Sequence, residues 1–600
     1  MKRKLPALLL ALSLILCLAA CGESAAPSAP EAASAASVTE QTAAGSTTAT
    51  EPETPAAPEE TAEESAVSAT ELEEPAEPED PMAKYVTPDD IEERIADRPS
   101  VSLPISEEGT SFTFWTGSPP MDATITGWND STAAQEMEKR TGVHIDFIEV
   151  APPAQSEALN LMFASGDFPN ILNYAVTGLY SVPYLIENEI VVDLQDLMEE
   201  NAPSYSALME ADPALYLATV DDEGQIGGLA GYQYNSFTTT GAIVRSDWVE
   251  KVGMSVDGLQ TIDDYYNYLS AIKSEGLCEY PMPLRFDASI SGSPFLAAMG
   301  ARAGAAAESS AGSFIYNEDD ELEYTYITDT YRDYIAMMAR WYDEGLITRD
   351  LLSWDMLDSS AIAGGSYGVF WQDCQFMDYW ISAGQVNDPD YMLAGASEPK
   401  LEADQTVGFG DVTALSINLA ICTSCPDPET ALRWLDYHFS EEGSLLSQYG
   451  LEGEGLSYDE NGKPCYSDLI SNNPDGLSTD NALNQYAINI NMYAKNCESL
   501  KAAYSDIQRS ALETWTGKRL VNKSSFTGLF TLNTEETDTV QRYYADISTY
   551  VAEQIGKMLV GETDIDSTWD EFVSTVESMG IDEVADAYES AGERYFGRLQ

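Results

Sequence analysis

From Ser111 onward the apolar positions switch repeatedly between two periods. "SFTFWTG" (111–117) is rich in β-formers and partly alternating, which predicts a strand. "DSTAAQEMEKR" (130–140) has helical spacing, with Asp130 as candidate N-cap and Thr141-Gly142 as its stop. "VHIDFIEV" (143–150) alternates as a strand, "QSEALNLMFASGD" (155–167) is helical, and "PNILNYA" (169–175) is strand-like again. Strand, helix, strand, helix, strand at this spacing describes a parallel sheet with helical crossovers. Ligands of such sheets bind outside the carboxyl ends of the strands. The residues after the first and third strands, Trp115 to Ser118 and Tyr174, therefore mark a candidate site.

A second series begins at "GAIVRSDWVEKVG" (241–253), a strand running into a short helix. "TIDDYYNYLSAIKSEG" (261–276) opens on a capping-box pattern, Thr261 to Asp264, and stops at Gly276. "TDTYRDYIAMMARWYDEG" (328–345) is a further helix, and "YGVFWQD" (367–373) is a strand with Trp371 near its end. "TALSINLAI" (413–421) is a strand leading into a helix over 428–440. "DENGKP" (459–464) reads as a tight turn, and the chain from about Lys501 is mostly helical.

The N-terminal stretch follows neither period. Lys2, Arg3 and Lys4 precede an apolar run from Leu5 to Leu18, shorter than the roughly 20 residues that span a bilayer core. A basic start, a short apolar run and small residues before a cut describe a secretory signal. Leu18-Ala19-Ala20-Cys21 resembles the lipobox of bacterial lipoproteins. That resemblance implies diacylation of Cys21, cleavage before it, and a chain held on the outer face of a membrane. From Gly22 to about Pro81 the composition is Ala, Ser, Thr, Pro and Glu, as in "EPETPAAPEETAEES", without Lys or Arg. Such a segment cannot bury enough surface to offset chain entropy and is expected to be a disordered tether. About 60 flexible residues reach on the order of 45 Å.

The remainder, Val86 to Gln600, is longer than one hydrophobic core fills, so two or more domains are expected. The formal net charge of −72 argues against nucleic acid and against broad contact with anionic membranes. Six cysteines follow the tether: Cys278, Cys374, Cys422, Cys425, Cys465 and Cys497. Cys422-Thr-Ser-Cys425 is a lone CxxC, and the only histidines are His144 and His438. A structural zinc site needs two more ligands at fixed spacing, so no metal and no cofactor is expected. The CxxC is read as a strand-to-helix turn, with free thiols or one disulfide.

Several stretches carry a resemblance: "EKRTGVHIDFIEV", "LMFASGDFPNI", "VRSDWVEKVGM", "WYDEGLI", "RWLDYHFSEEGSLLSQYGLEGEG" and "WDEFVSTVESMGIDEVADAYESAGERY", in this order. Together they resemble the lipoprotein branch of the family 1 extracellular solute-binding proteins, receptor subunits of bacterial ABC importers, many of them for carbohydrates. The resemblance implies an α/β, two-lobed periplasmic-binding-protein-like fold (type II), with discontinuous lobes joined by a hinge. Lobe 1 would hold about 105–240 plus 410–500, and lobe 2 about 241–409 plus 501–600, with crossings near 236–243 and 408–413. It also implies a monomer that passes a small-molecule solute, a carbohydrate, to the membrane subunits of an ABC permease.

Sugars present flat apolar faces edged by hydroxyls, so a sugar site wants aromatic platforms among carboxylates, amides and arginine. Trp115, with Ser118 in the "TGSPP" loop after it, and Trp371, followed by Gln372 and Asp373, are the candidate platforms and their polar neighbours. Asp167 lies in the "SGDFPN" turn, which the family resemblance puts beside the cleft, although Asn170 stands where the family usually has Asp. Tyr174, Tyr232 and Tyr234 are candidate rim or platform residues, and Arg245 and Arg285 stand out because cations are scarce. Arg245 has Asp247 nearby as an alternative partner. "GGSYG" (364–368) matches G-x-S-x-G, with His438 downstream. A nucleophile elbow needs a strand before its serine and a helix after it, and here the order is reversed. "YNEDDELEY" (316–324) lacks the glycine and spacing of a calcium loop. The reading is a non-enzymatic, lipid-anchored receptor; the alternatives are an extracellular carbohydrate-active hydrolase, or the same receptor taking a peptide or other small solute.

Overall fold

Val143–Val150 lies parallel to Thr110–Gly117 along its whole length, from Thr110 opposite Val143 to Gly117 opposite Val150. Ile171–Asn173 pairs in parallel on the other side, Phe114 opposite Ile171. The helices between them, Thr132–Thr141 and Gln155–Ser165, are the crossovers expected from the spacing. The first is capped by Ser131, whose side chain accepts from the Ala134 amide, rather than by Asp130, which accepts from Thr126. It stops at Gly142, where φ is +72° and a Cβ would lie 2.0 Å from the Ser106 carbonyl oxygen. Only glycine fits there.

The computed structural model describes residues 82–599 with short interruptions, the longest at 120–123, 174–181, 285–292, 303–310, 350–358 and 409–416. The signal, Cys21, the tether, Tyr174 and Arg285 lie outside the described residues. Contacts divide the chain into Met1–Ala76 and Glu77–Gln600, and the rest of the description concerns the second unit.

The first sheet is mixed rather than wholly parallel. Ile417–Ile421 runs antiparallel to Ile171–Asn173, and Leu229–Ala230 pairs antiparallel with it at the edge. The second sheet has three antiparallel strands, with Thr240–Arg245 between Leu393–Ala396 and Val369–Asp373. Each sheet has its own core. Phe112, Phe114, Ile145, Ile171, Leu419 and Ile421 of the first pack with Trp434 and Leu435 of the helix Pro428–Phe439. Val244 and Val369 of the second pack with Tyr265, Trp341 and the C-terminal helices through Val551, Phe572 and Tyr588. Outer strand faces are covered by Leu159 and Met162 in one case and by Leu512 and Trp515 in the other.

The described residues begin at Met82. Tyr85 is 4% exposed, donates its hydroxyl to the Phe596 carbonyl and stacks edge-on against Phe526 and Phe596 in the second core. Six and ten residues on, Ile91 and Ile95 are buried in the first core. This N-terminal arm therefore belongs to both. The same two cores are joined by charge: Arg594 in the last helix pairs with Glu536 and with Asp222, and Arg598 donates to the Leu217 and Val220 carbonyls. Among the described residues no helix is long and apolar enough to cross a membrane.

Candidate functional site

At the carboxyl end of the first sheet, the Ser118 amide donates to the Val150 carbonyl at 3.0 Å and Ser118 itself is half-buried. The Trp128 indole donates to the Gly117 carbonyl at 2.7 Å, while its amide donates to Glu149. Gln155 donates to the Val150 carbonyl. Asn173, the last residue of the third strand, is 8% exposed and donates to the Thr116 hydroxyl at 3.3 Å. Its own Oδ1 has no partner. These strand ends thus gather amides, hydroxyls and a carboxylate around the buried Trp128 indole. Sequence reading passed over Asn173 for its neighbour Tyr174; the signal was its place as the last polar residue of a buried strand.

Trp115 is not among the groups presented there. It is 2% exposed and packs with Leu159, Met162, Leu172 and Leu185, because its side chain points to the helix-covered face of the strand. The expected platform is core. Asp167 is exposed, but at the wrong end: Asn170 next to it accepts from the Thr113 amide, midway along the first strand, and the third strand begins only at Ile171. The "SGDFPN" turn lies at the amino pole, away from the strand ends where Ser118 and Asn173 sit. Tyr232 is fully buried, with its hydroxyl donating to Asp212 at 2.8 Å. Burial pushes that phenol well above its ordinary range.

Arg245 is likewise structural. It is 1% exposed, makes two bonds of 2.7 Å to Asp247 and one of 2.8 Å to Asp388, and is held between the Trp248 and Tyr391 rings, each centred 4.1 Å away. A guanidinium so buried, paired with two carboxylates and sandwiched by two rings, is out of a ligand's reach. Gln372 is 8% exposed and shares the face of Phe370, turned into the sheet's packing rather than outward.

Trp371 and Asp373 alternate onto the other face of that strand. Trp371 is partly buried, its ring centre 5.3 Å from Phe295 and 6.1 Å from Tyr265, and its indole nitrogen has no partner. Asp373, half-buried, accepts from the Thr239 hydroxyl at 2.6 Å and from the Gln375 amide at 2.8 Å, capping the turn after the strand. Among the residues predicted to form the site, Ser118, Trp371 and Asp373 thus retain exposed surface at strand ends.

The enzymatic motif does not assemble. Ser366 is exposed in the turn between Ser359–Ala363 and Val369–Asp373, its amide donating to the Ala361 carbonyl. His438 is fully buried in the other core and bonded to Ser447 at 2.9 Å. Burial pushes the His438 imidazole down to about 3, leaving it neutral. Cys422 and Cys425 are free, buried thiols joined by a backbone turn, Cys425 N–H to the Cys422 carbonyl at 2.9 Å. Burial raises both above the ordinary thiol range, Cys422 to about 12, the reverse of an activated redox pair. Among the described residues no group of three or more His, Cys, Asp or Glu side chains is arranged to hold a metal.

The fold is thus two cores, each with its own sheet, with polar groups gathered at strand ends. No protein-family model matches the chain. Among solved structures, the HMO-binding ABC-transporter-associated solute-binding protein of Bifidobacterium longum infantis superposes with a TM-score of 0.64 at 18% identity, over 82% of this chain and 99% of that one. The alginate-binding protein AlgQ2, solved without calcium ion, gives 0.63 at 20% identity over 82% and 99%. In sequence the chain is similar to the fructooligosaccharide ABC transporter substrate-binding protein FusA of Streptococcus pneumoniae, 21% identical over 83% of this chain and 92% of that protein. Lipoprotein LipO of Bacillus subtilis is 22% identical over 60% and 70%. The chain has the two-lobed α/β fold of these solute-binding proteins, as its motifs imply.

Proposed function

We propose that this protein is a lipid-anchored receptor on the outer face of the cell membrane that captures an oligosaccharide between its lobes and passes it to an ABC permease. The observation that carries the reading is the similarity to a fructooligosaccharide-binding relative over nearly that relative's whole length. The lipobox at Cys21 supports anchoring, and the LipO relative is itself a lipoprotein. The protein acts by binding rather than by catalysis: of the residues of the one hydrolase-like motif, Ser366 is exposed in a turn beside the second sheet while His438 is fully buried in the helix Pro428–Phe439. Capture is by enclosure, the lobes closing about a hinge. Trp371 is the aromatic platform, and Ser118 and Asp373 contribute polar contacts; Tyr174 and Arg285 are further candidates by sequence.

A thermal-shift screen of oligosaccharides tests this. A ligand at about 100 times its Kd should stabilise the protein by about 2.7 kcal/mol, since it binds only the folded state. Trp371→Ala should weaken that ligand by roughly 1–3 kcal/mol. It should also lower the unliganded melting point, because the ring packs on Phe295 and Tyr265; Trp371→Phe should restore the melting point more than the affinity. Peptide binding without any glycan response would move the assignment to a peptide receptor, and cleavage of the ligand to a hydrolase.

A further inference from the structure

Asn173 ends the third strand of the first sheet, paired through its backbone with Leu419. Its side chain is more than nine-tenths buried, yet only half of its amide is used: Nδ2 donates to the Thr116 hydroxyl, and Oδ1 is buried without a partner. Turning the amide over does not cure this. The Thr116 hydroxyl would then donate to Oδ1, and the NH2 group would be the one left unpaired. A buried polar group left unsatisfied weakens the fold; other buried atoms of this protein share that state, such as the Trp341 and Trp434 indoles within the cores, but Asn173 sits at the carboxyl end of a strand. At a strand's carboxyl end the missing partner has an obvious source outside the chain.

The groups around it narrow what that partner is. Thr116, Ser118, Trp128, Glu149 and Gln155 occupy the neighbouring strand ends, and none is a cation. Glu149 adds a negative charge. In the second sheet Arg245 is buried and paired with Asp247 and Asp388. Among the described residues at this end of the first sheet, a carboxylate or sulfate would lose its hydration without finding a counter-charge, and the chain's net charge of −72 opposes its approach. A neutral hydroxyl has neither difficulty. It can donate to Oδ1 and accept from a neighbouring hydroxyl or amide.

We propose that Asn173 contacts the ligand directly, accepting a hydrogen bond from a sugar hydroxyl, and that the site thereby selects uncharged oligosaccharides over uronate or sulfated ones. This rests on the carbohydrate reading above and goes further, naming the ligand's charge class and one residue that reads it.

The test is calorimetric titration of the full mature chain with two size-matched series at 20 and 150 mM salt. One series is neutral (fructo-, malto- and manno-oligosaccharides); the other is anionic (oligoalginates and oligogalacturonates). A neutral ligand should bind about 100-fold or more tightly than any anionic one of its length. The gap should widen at low salt, where repulsion is less screened. Asn173→Leu should weaken the neutral ligand about 10-fold while leaving the unliganded melting point unchanged or higher, because the orphan oxygen is gone. Asn173→Ala serves as a second variant should leucine not fit. Equal or tighter binding of the anionic series would overturn the charge selection and leave the carbohydrate receptor standing. Unchanged affinity in both variants, or a lowered melting point with unchanged affinity, would make Asn173 purely structural and overturn its role. Silence from both series would remove the carbohydrate reading and this inference with it.

Discussion

Replacing Asp436 by alanine would remove the acceptor on which the start of another helix depends. Asp436 sits fully buried in the helix Pro428–Phe439. Its Oδ2 accepts from the Ser204 amide at 3.2 Å and the Ser204 hydroxyl at 2.8 Å, and its Oδ1 accepts from the Tyr205 amide at 2.8 Å. Those amides open the helix Pro203–Ala211, where backbone donors have no partner within the helix. Alanine would strand two buried amides at about 1–3 kcal/mol each; the hydroxyl can turn elsewhere. A loss of about 3–5 kcal/mol at pH 7 is expected from denaturant melts, with the slope m unchanged. Asparagine, which keeps one acceptor oxygen but turns an NH2 toward a donor, should cost less. The pH dependence is a second, independent readout. Burial pushes the Asp436 carboxyl up to about 6, against the donors and the nearby Arg98, which pull it down. A folded value raised above the usual carboxylate range means that the proton stabilises the fold. This contribution is fully present below about pH 4 and lost as pH rises through about 6. A shift of about two pH units corresponds to about 3 kcal/mol. The difference between wild type and Asp436→Asn should shrink by that order between pH 4 and 7. An alanine variant within 1 kcal/mol of wild type, or parallel pH profiles for wild type and Asp436→Asn, would refute the reasoning.

Three further outcomes follow from named contacts. Gly241→Ala would place a Cβ 2.3 Å from the Trp515 ring, which is itself held by a 2.9 Å bond to the Ala396 carbonyl; a loss of about 1–3 kcal/mol is expected, and an unchanged melting point would show that the ring yields freely. Arg594→Ala should cost about 1–2 kcal/mol, since the pairs with Glu536 and Asp222 are partly exposed; melts at low and high salt should converge, and a salt-independent loss would assign the effect to packing. Cys21→Ala should release the protein from membranes into the medium, and palmitate incorporation persisting in that variant would exclude Cys21 as the anchor.

Much of the local structure was legible because each signal was local. The strand 143–150 has the predicted bounds, and the Thr261–Asp264 capping box forms as read. The turn at 459–464 joins a hairpin, with Asp459 accepting from the Asn461 and Lys463 amides. Pairing direction was not legible. Nothing in "ALSINLAI" says that it runs antiparallel to a neighbour far away in sequence, and strand order is a property of tertiary contacts. The site suffered for the same reason. Period-2 alternation put Trp115 on one face of its strand but not on the helix-covered face. Asp167 stood close to the cleft in sequence and at the opposite pole in space. Arg245 was readable both ways, and the structure adds Asp388, 143 residues away, to the expected Asp247. Asn173 carried no sequence signal beyond its position, because an unused hydrogen-bonding atom exists only once its surroundings are built.

The N-terminal arm has a mechanical consequence. Tyr85 is wedged among the C-terminal helices, while Ile91 and Ile95 are sunk into the core of the first sheet. Any pull arriving along the chain from upstream must therefore pass first through the second core and then into the first. Force is shared between the two halves instead of being delivered to one. Cutting the chain at Val86 would do more than shorten a leash: it would remove the Tyr85 ring, open the Phe526–Phe596 contact to water, and leave the last helix without the strut that ties it to the opposite half.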